Sequence, residues 1–436
     1  MHEDLPLLPP DGDVDAPMFW QDGAAISRGR FAAGVVALAE RLPVQPWAVN
    51  LCDNRYTFCT ALAAAALRGM TTLLPPNAAP TTVAALRLAY PDGVIFGDEA
   101  GGIAEWIMPR HAPELPGAWL PAIAADHPVA LVFTSGSTGQ PQPHPKRWRS
   151  LHQAAVLIGR RLLPSPSNIV ATVPLQHMYG LETAALLPLA AGHAVFAARP
   201  VFPDDVRAAL AAMPAPRVLV TAPVHIRALL NAGTALPPLA AVVSATAPLS
   251  AELAARAEKA FGAPVHEIYG CTEAGSIATR RTIEGPDWRL LDGIDLSLCG
   301  DSPEVLAMHL PTPVSLQDRL ELIPGGFRLL GRASDLLKVG GRRASLSDLT
   351  QKLLSIPGVI DGVVFQPQRA DQDGIVQRLA ALVVAPTLSE AEVMQALAHL
   401  IDPIFLPRPL RLLAALPRNA VGKLPQAALE RLLLEA

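Results

Sequence analysis

Between about residue 30 and residue 330 the chain alternates short β-branched or apolar runs with stretches of helical periodicity. Strands separated by helical crossovers pair in parallel, so the alternation specifies an α/β domain of layered sheets and helices. The strand candidates are Val129 to Phe133, Ile169 to Val173, Arg217 to Thr221, Ala241 to Ser244 and Val265 to Tyr269. Helices are expected from Trp148 to Leu163, Pro223 to Asn231 and Ser250 to Phe261, the last entered by a serine able to cap its free N–H groups.

After Gly331 the rhythm changes to a compact α+β pattern. Helix is expected from Ser347 to Leu354 and Ser389 to Leu400, strand from Val359 to Phe365, Leu379 to Val384 and Arg411 to Leu416. Val393, Met394, Leu397 and Leu400 share one helical face, which should pack on the small sheet. A chain of 436 residues exceeds the ~250 to 300 at which a single core stops growing. The expected division is a large N-terminal domain, residues 1–333, and a small mobile C-terminal domain, residues 334–436.

Composition removes several function classes. With 50% hydrophobic and 17% charged residues the chain is far from the disordered class. A net charge of -4 argues against a general nucleic-acid binder. The longest apolar stretch, Ala184 to Ala198, is broken by Pro188, Gly192 and His193 and falls short of the ~20 residues of a membrane span. Met1-His2-Glu3-Asp4 lacks the basic start of a secretory signal, so a cytoplasmic protein is expected. Cys52, Cys59, Cys271 and Cys299 show no paired spacing, which suggests free buried thiols rather than disulfides or zinc. The 44 prolines are scattered and read as loop residues.

The strongest local signal is Phe133-Thr134-Ser135-Gly136-Ser137-Thr138-Gly139-Gln140-Pro141, directly after an expected strand. Its glycines let backbone amides approach an anion, and its hydroxyls add donors, so phosphate is the natural guest. It lacks the Gly-Lys-Ser/Thr of a Walker loop and the Gly-x-Ser-x-Gly of a nucleophile elbow. Taken singly, such a cluster is more often a plain flexible loop.

The loop resembles the phosphate-binding signature of the AMP-forming ligase superfamily: acyl-CoA synthetases, adenylation domains and luciferases. Further segments resemble that family's motifs in order. Pro174-Leu175-Gln176-His177-Met178-Tyr179-Gly180 resembles the stretch lining the acyl pocket, and Ser244-Ala245-Thr246-Ala247-Pro248-Leu249 the adenine-contacting turn. Tyr269-Gly270-Cys271-Thr272-Glu273 resembles the next signature. The resemblance implies that Tyr269 stacks on adenine, Thr272 touches the α-phosphate and Glu273 helps hold Mg²⁺. It likewise implies that Asp318 grips the ribose hydroxyls and that Arg332 opens a hinge centred on Ser334. Lys338 to Arg343 would continue that motif, with Gly340, Gly341 and Arg343 beside the thiol tunnel, and Lys423 would be the catalytic lysine. His177, Tyr179, Ser244 and Gly270 would border the acid. Each residue has a plain alternative when taken alone: a solvated Glu273, a satisfied His177, a surface Lys423.

The sequence departs from the family pattern at Gln142, where a lysine is usual, at Ala245 and Thr246, where paired glycines are usual, and at the hinge residue Ser334. Lys146 is the candidate to replace the missing loop lysine.

The implied function is activation of a carboxylic acid with ATP and Mg²⁺, followed by transfer to a thiol, in a monomer or homodimer. Pro141-Gln142-Pro143-His144 resembles the short ligases of bacterial aryl-polyene pigment pathways. That likeness implies 3- or 4-hydroxybenzoate as acid and an acyl carrier protein as acceptor. The alternatives are an aryl- or fatty acyl-CoA synthetase and a non-catalytic nucleotide-binding homologue. Thr272, Glu273, Asp318, Arg332 and Lys423 occurring together favour an enzyme.

Overall fold

The structure, a computed structural model, describes residues 3–435 except 11, 100–102, 110–120, 136–140, 164, 300–301, 333–335, 340–341, 368–378 and 419–423. Two large sheets dominate it. The first has six strands in the order Pro141–Arg147, Pro128–Ser135, Thr71–Leu74, Trp47–Asn50, Gly93–Gly97 and Trp106–Ile107. The second has eleven, and its parallel centre runs through Ala194–Phe196, Asn168–Ala171, Arg217–Thr221, Ala241–Ser244 and Val265–Cys271. Antiparallel strands Gly275–Arg281, Asp287–Leu290, Gly326–Arg332 and Asp318–Ile323 extend it at one side.

Alternation along each strand decides what lies on either face. Val218 and Val220 turn toward a central core shared by both sheets, where they meet helices Arg55–Leu67 and Trp148–Leu162. Leu219 between them turns outward to a second core built with helices Pro203–Ala211, Pro223–Asn231 and Ala251–Phe261. Val49, Leu73 and Ile95 do the same for the first sheet, under helix Pro80–Ala89. The result is a helix–sheet–helix–sheet–helix stack.

Residues from Leu337 onward gather around cores of their own. Strands Asp361–Phe365, Ala380–Val384 and Leu410–Leu412 form a three-stranded sheet covered by helices Leu346–Leu354 and Glu390–Ala398. Val393 and Leu397 are buried as their spacing predicts, but Leu400 is exposed because the helix stops at Ala398. The strand expected from Arg411 to Leu416 is shorter, Leu410–Leu412. Ser250 caps its helix by accepting from the Leu253 N–H at 3.2 Å, as expected.

Two expectations need correction. Pro141, Pro143 and Pro145 lie in a seven-residue strand rather than a loop, tolerated because it is the edge of its sheet and prolines need donate nothing there. Of the cysteines only Cys52 and Cys59 are buried; Cys271 is half-buried and Cys299 exposed. Among the described residues, no helix is long and apolar enough to cross a membrane.

Candidate active site

The phosphate-loop candidates connect the Pro128–Ser135 strand to its antiparallel neighbour Pro141–Arg147, with Ser135 opposite Pro141. Gly136, Ser137, Thr138 and Gly139 lie outside the described residues, as do Ser334, Gly340, Gly341 and Lys423. Because side chains alternate along a strand, Gln142, His144 and Lys146 share one face of the proline strand. His144 Nε2 lies 3.0 Å from Thr134 Oγ1 and 3.8 Å from Glu273 Oε1, so it stands between the loop threonine and the signature glutamate. Burial holds the His144 imidazole below its ordinary pKa, with the Glu273 carboxylate opposing that shift.

Lys146 is only 5% exposed and its Nζ donates to the Glu273 carbonyl oxygen at 2.7 Å. It therefore braces the turn that carries Glu273. Burial lowers its pKa, while the nearby negative charge of Glu182 raises it.

Tyr269 and Asp318 are 49 residues apart in sequence yet joined by a 2.6 Å hydrogen bond from the phenol to Oδ2. The Tyr269 ring packs against Trp288 and Phe327 at centroid distances of 5.6 and 5.1 Å, which fixes its plane. Asp318 pairs across the ladder with Arg332, whose side chain is not described. At Gly270 a β-carbon would sit 2.3 Å from the Gly275 carbonyl oxygen, so the turn carrying Thr272 and Glu273 closes only with glycine there. The Glu273 side chain is 48% exposed at this mouth.

The adenine-turn candidates follow the Ala241–Ser244 strand. Thr246 has a left-handed φ of +78°, a conformation costly for a β-branched residue and free for the glycine usual in the resembled family. Glu267 Oε1 accepts from the Leu249 N–H at 3.3 Å, and the Pro248 carbonyl accepts from Gln351 Nε2 at 3.2 Å. Ala245 is buried, and Ala247 is half-buried. The Ser244 hydroxyl is buried with no partner among the described residues.

His177 stands at the start of the short helix Met178–Gly180, which runs into a π-helical turn, Leu181–Leu186. Tyr179 is committed elsewhere than its sequence role suggested: its hydroxyl donates to the carbonyls of Thr221 and Val243 at 3.1 and 2.9 Å. Tyr179→Phe is accordingly expected to cost about 1–2 kcal/mol of stability in denaturant unfolding, while the rate ratio between hydroxylated and plain benzoates stays unchanged. A changed ratio would return Tyr179 to the acid pocket.

Beside Glu273, which contributes to its wall, lies a cavity of about 160 Å³, bounded also by Lys146, Ser150, Met178, Glu182 and Leu310. His177, Tyr179, Ser244 and Gly270 do not line it, although Met178, between the first two, does. Glu182 and its partner Ser276 were not picked out by sequence, although Glu182 is a single carboxylate inside the apolar run Leu181 to Leu187. Arg343 lies in the Arg342–Ser345 strand opposite Lys338, with neither side chain described.

The profile of the family described as AMP-binding enzyme matches residues 94–311. A 4-coumarate–CoA ligase of Halorhodospira halophila is 32% identical over 320 residues, 70% of this chain and 78% of that protein. A 3-hydroxybenzoate–CoA/4-hydroxybenzoate–CoA ligase of Thauera aromatica is 26% identical over 397 residues, 79% of this chain and 74% of the relative. Among solved structures, ATP-bound MatB from Rhodopseudomonas palustris superposes with a TM-score of 0.78 at 19% identity, covering 96% of both chains. The O-succinylbenzoate coenzyme A synthetase MenE from Bacillus subtilis, in complex with AMP, gives 0.78 at 19% identity over 94% of both. At these identities the two structures speak for the fold.

Proposed function

The chain belongs to the AMP-binding enzyme family, and on that footing we propose that it converts a hydroxybenzoate, 3-hydroxybenzoate ahead of 4-hydroxybenzoate, to its acyl-adenylate and passes the acyl group to a pantetheine thiol. ATP-dependent adenylation of an acid is the reaction of the family. The observation that carries the nucleotide half is the Tyr269–Asp318 hydrogen bond, which brings the adenine and ribose candidates side by side.

In the first step a carboxylate oxygen attacks the α-phosphorus and the bond to the β-bridging oxygen breaks, releasing pyrophosphate. Two anions must meet, so donors and positive charge aimed at the phosphoryl oxygens dominate the barrier. Thr134, Thr272 and Lys423 are the groups proposed to supply them. Glu273 suits magnesium, which is commonly held by one or two carboxylates plus phosphate oxygens and water, and its half-exposed carboxylate opens to the mouth of the site. Bound there, the ion would neutralise developing phosphate charge. In the second step a thiolate attacks the acyl carbon and AMP leaves. Residues 334–436 are proposed as the mobile unit that exchanges Lys423 for Gly340 and Gly341 between the steps, with Ser334 as hinge.

The size of the acid rests on the cavity beside Glu273. About 150 Å³ suffices for one benzene ring, so 160 Å³ supports a single-ring acid over a long alkyl chain. The hydroxybenzoate named for the Thauera relative supports the same class. For the acceptor, relatives named as CoA ligases support CoA, whereas the likeness of Pro141 to His144 to pigment-pathway ligases supports a carrier protein.

The test is acid-dependent exchange of labelled pyrophosphate into ATP over a panel of hydroxybenzoates and C8 to C16 fatty acids, followed by thioester assays with CoA and with holo-carrier protein. Exchange only with long-chain acids would sink the aromatic reading, and no exchange with any acid would favour the non-catalytic binder. Asp318→Ala is expected to raise the KM for ATP by roughly tenfold or more, with little change in the KM for the acid, since the hydrogen bonds lost, ~1.5–3 kcal/mol each, are those to the ribose and from Tyr269, both on the nucleotide side. A rise confined to the acid would remove Asp318 from the nucleotide site.

A further inference from the structure

The cavity beside Glu273 holds two buried groups of opposite charge. Lys146 carries three N–H donors. Among the described residues it makes one hydrogen bond, to the Glu273 carbonyl, and no ion pair. Glu182, 1% exposed, accepts from the Ser276 hydroxyl and backbone N–H at 2.5 and 3.2 Å. A carboxylate has about four acceptor positions, so two remain. Gly275, at φ +80°, makes room for it: a β-carbon there would lie 2.5 Å from Glu182 Oε1. The rest of the wall combines apolar side chains, Leu151, Met178 and Leu310 among them, with His144, Ser150, Thr312 and Glu273.

A buried ammonium and a buried carboxylate facing one ring-sized space are costly to maintain unless their remaining bonding capacity is used. A phenol answers both, because its oxygen accepts from an ammonium while its O–H donates to a carboxylate. An aromatic amine donates but accepts poorly, a methoxy group accepts but cannot donate, and an unsubstituted ring does neither.

We propose that this cavity receives the distal end of the acid and that Lys146 and Glu182 select a single phenolic hydroxyl on its ring, Lys146 donating to the phenol oxygen and Glu182 accepting its proton in a hydrogen bond. The proposal rests on the aromatic-acid reading above. It makes the two side chains specificity determinants and assigns them no part in phosphoryl transfer.

The experiment is pyrophosphate exchange by the full-length wild-type protein with 3-hydroxy-, 4-hydroxy-, 3-amino-, 3-methoxy- and unsubstituted benzoate, repeated with Lys146→Met and Glu182→Leu. For the wild type, kcat/KM for the better hydroxybenzoate should exceed that for benzoate by at least about a hundredfold, because a site built to bond a hydroxyl rejects the analogue lacking it. The amino and methoxy acids should fall between. In either variant that folds, the hydroxybenzoate-to-benzoate ratio should drop by about tenfold or more. Equal use of benzoate and the hydroxybenzoates by the wild type, which needs no variant, would overturn the proposal while leaving aromatic-acid activation standing. An unchanged ratio in both folded variants would also overturn it. Exchange with none of the aromatic acids would instead defeat the underlying substrate reading.

Discussion

Lys423→Ala is expected to slow acyl-adenylate formation by a few hundredfold while leaving thioester formation from supplied acyl-adenylate largely intact. Removing one electrostatic stabiliser aimed at a transition state typically costs ~3–4 kcal/mol, and the lysine is needed only while charge builds at the α-phosphate. Its assignment comes from Val421-Gly422-Lys423. The chain leading to it is anchored upstream, where Arg418 grips Asp361 through Nε and Nη2 at 2.7 and 2.6 Å. The two half-reactions separate the roles: pyrophosphate exchange reads the first, and acyl transfer from synthetic adenylate reads the second. Wild-type exchange in the variant would remove Lys423 from the chemistry, and equal loss of both halves would indicate a folding defect.

The second large effect is expected at Glu267, where substitution by alanine should lower stability by about 3–5 kcal/mol, the usual consequence of leaving one member of a buried ion pair alone. Glu267 is 3% exposed and accepts from Arg280 Nε at 2.7 Å and Thr282 Oγ1 at 2.6 Å, while its other oxygen holds the Leu249 N–H. Arg280 lies 4.4 Å over the Trp288 ring, which packs on Tyr269. One carboxylate thus ties the adenine-turn candidate to the aromatic wall behind the nucleotide candidates. The KM for ATP should rise along with the loss of stability, and Glu267→Gln, which keeps one acceptor oxygen but not the charge, should fall between. Urea unfolding within 1 kcal/mol of wild type for Glu267→Ala would show that the pair contributes little.

The parallel centre of the second sheet was legible because strands buried on both faces read as unbroken apolar runs: Val218 to Val220 and Ala241 to Val243 form the middles of Arg217–Thr221 and Ala241–Ser244. Helix Pro223–Asn231 was legible for the opposite reason, since Pro223 can open a helix but not continue one. The division of the strands between two large sheets was not legible, because local periodicity carries no information about which neighbour a strand will choose. The proline strand was hidden by its own composition, which reads as loop until its edge position is known.

The site divides in the same way. Thr134, Glu273, Tyr269 and Asp318 were found through motif order, and coordinates were needed to see that Tyr269 and Asp318 touch. His144 and Lys146 are singled out by the alternation of Pro141, Pro143 and Pro145, which leaves the residues between them on one face. Glu182 and Ser276 are brought together across 94 residues by the π-helical turn and the strand after Glu273, a pairing no local pattern announces.

The proline strand has a consequence beyond the site. The outer rim of a sheet normally offers a row of N–H and C=O groups on which a foreign strand can add, a route from a folded monomer to an aggregate. Here the six-stranded sheet ends on Pro141–Arg147, and three of those seven residues have no N–H to offer. A strand arriving from a neighbouring molecule would meet pyrrolidine rings at alternate positions where it needs donors. The residues that orient His144 and Lys146 inward therefore also make this rim a poor template for intermolecular β-sheet growth.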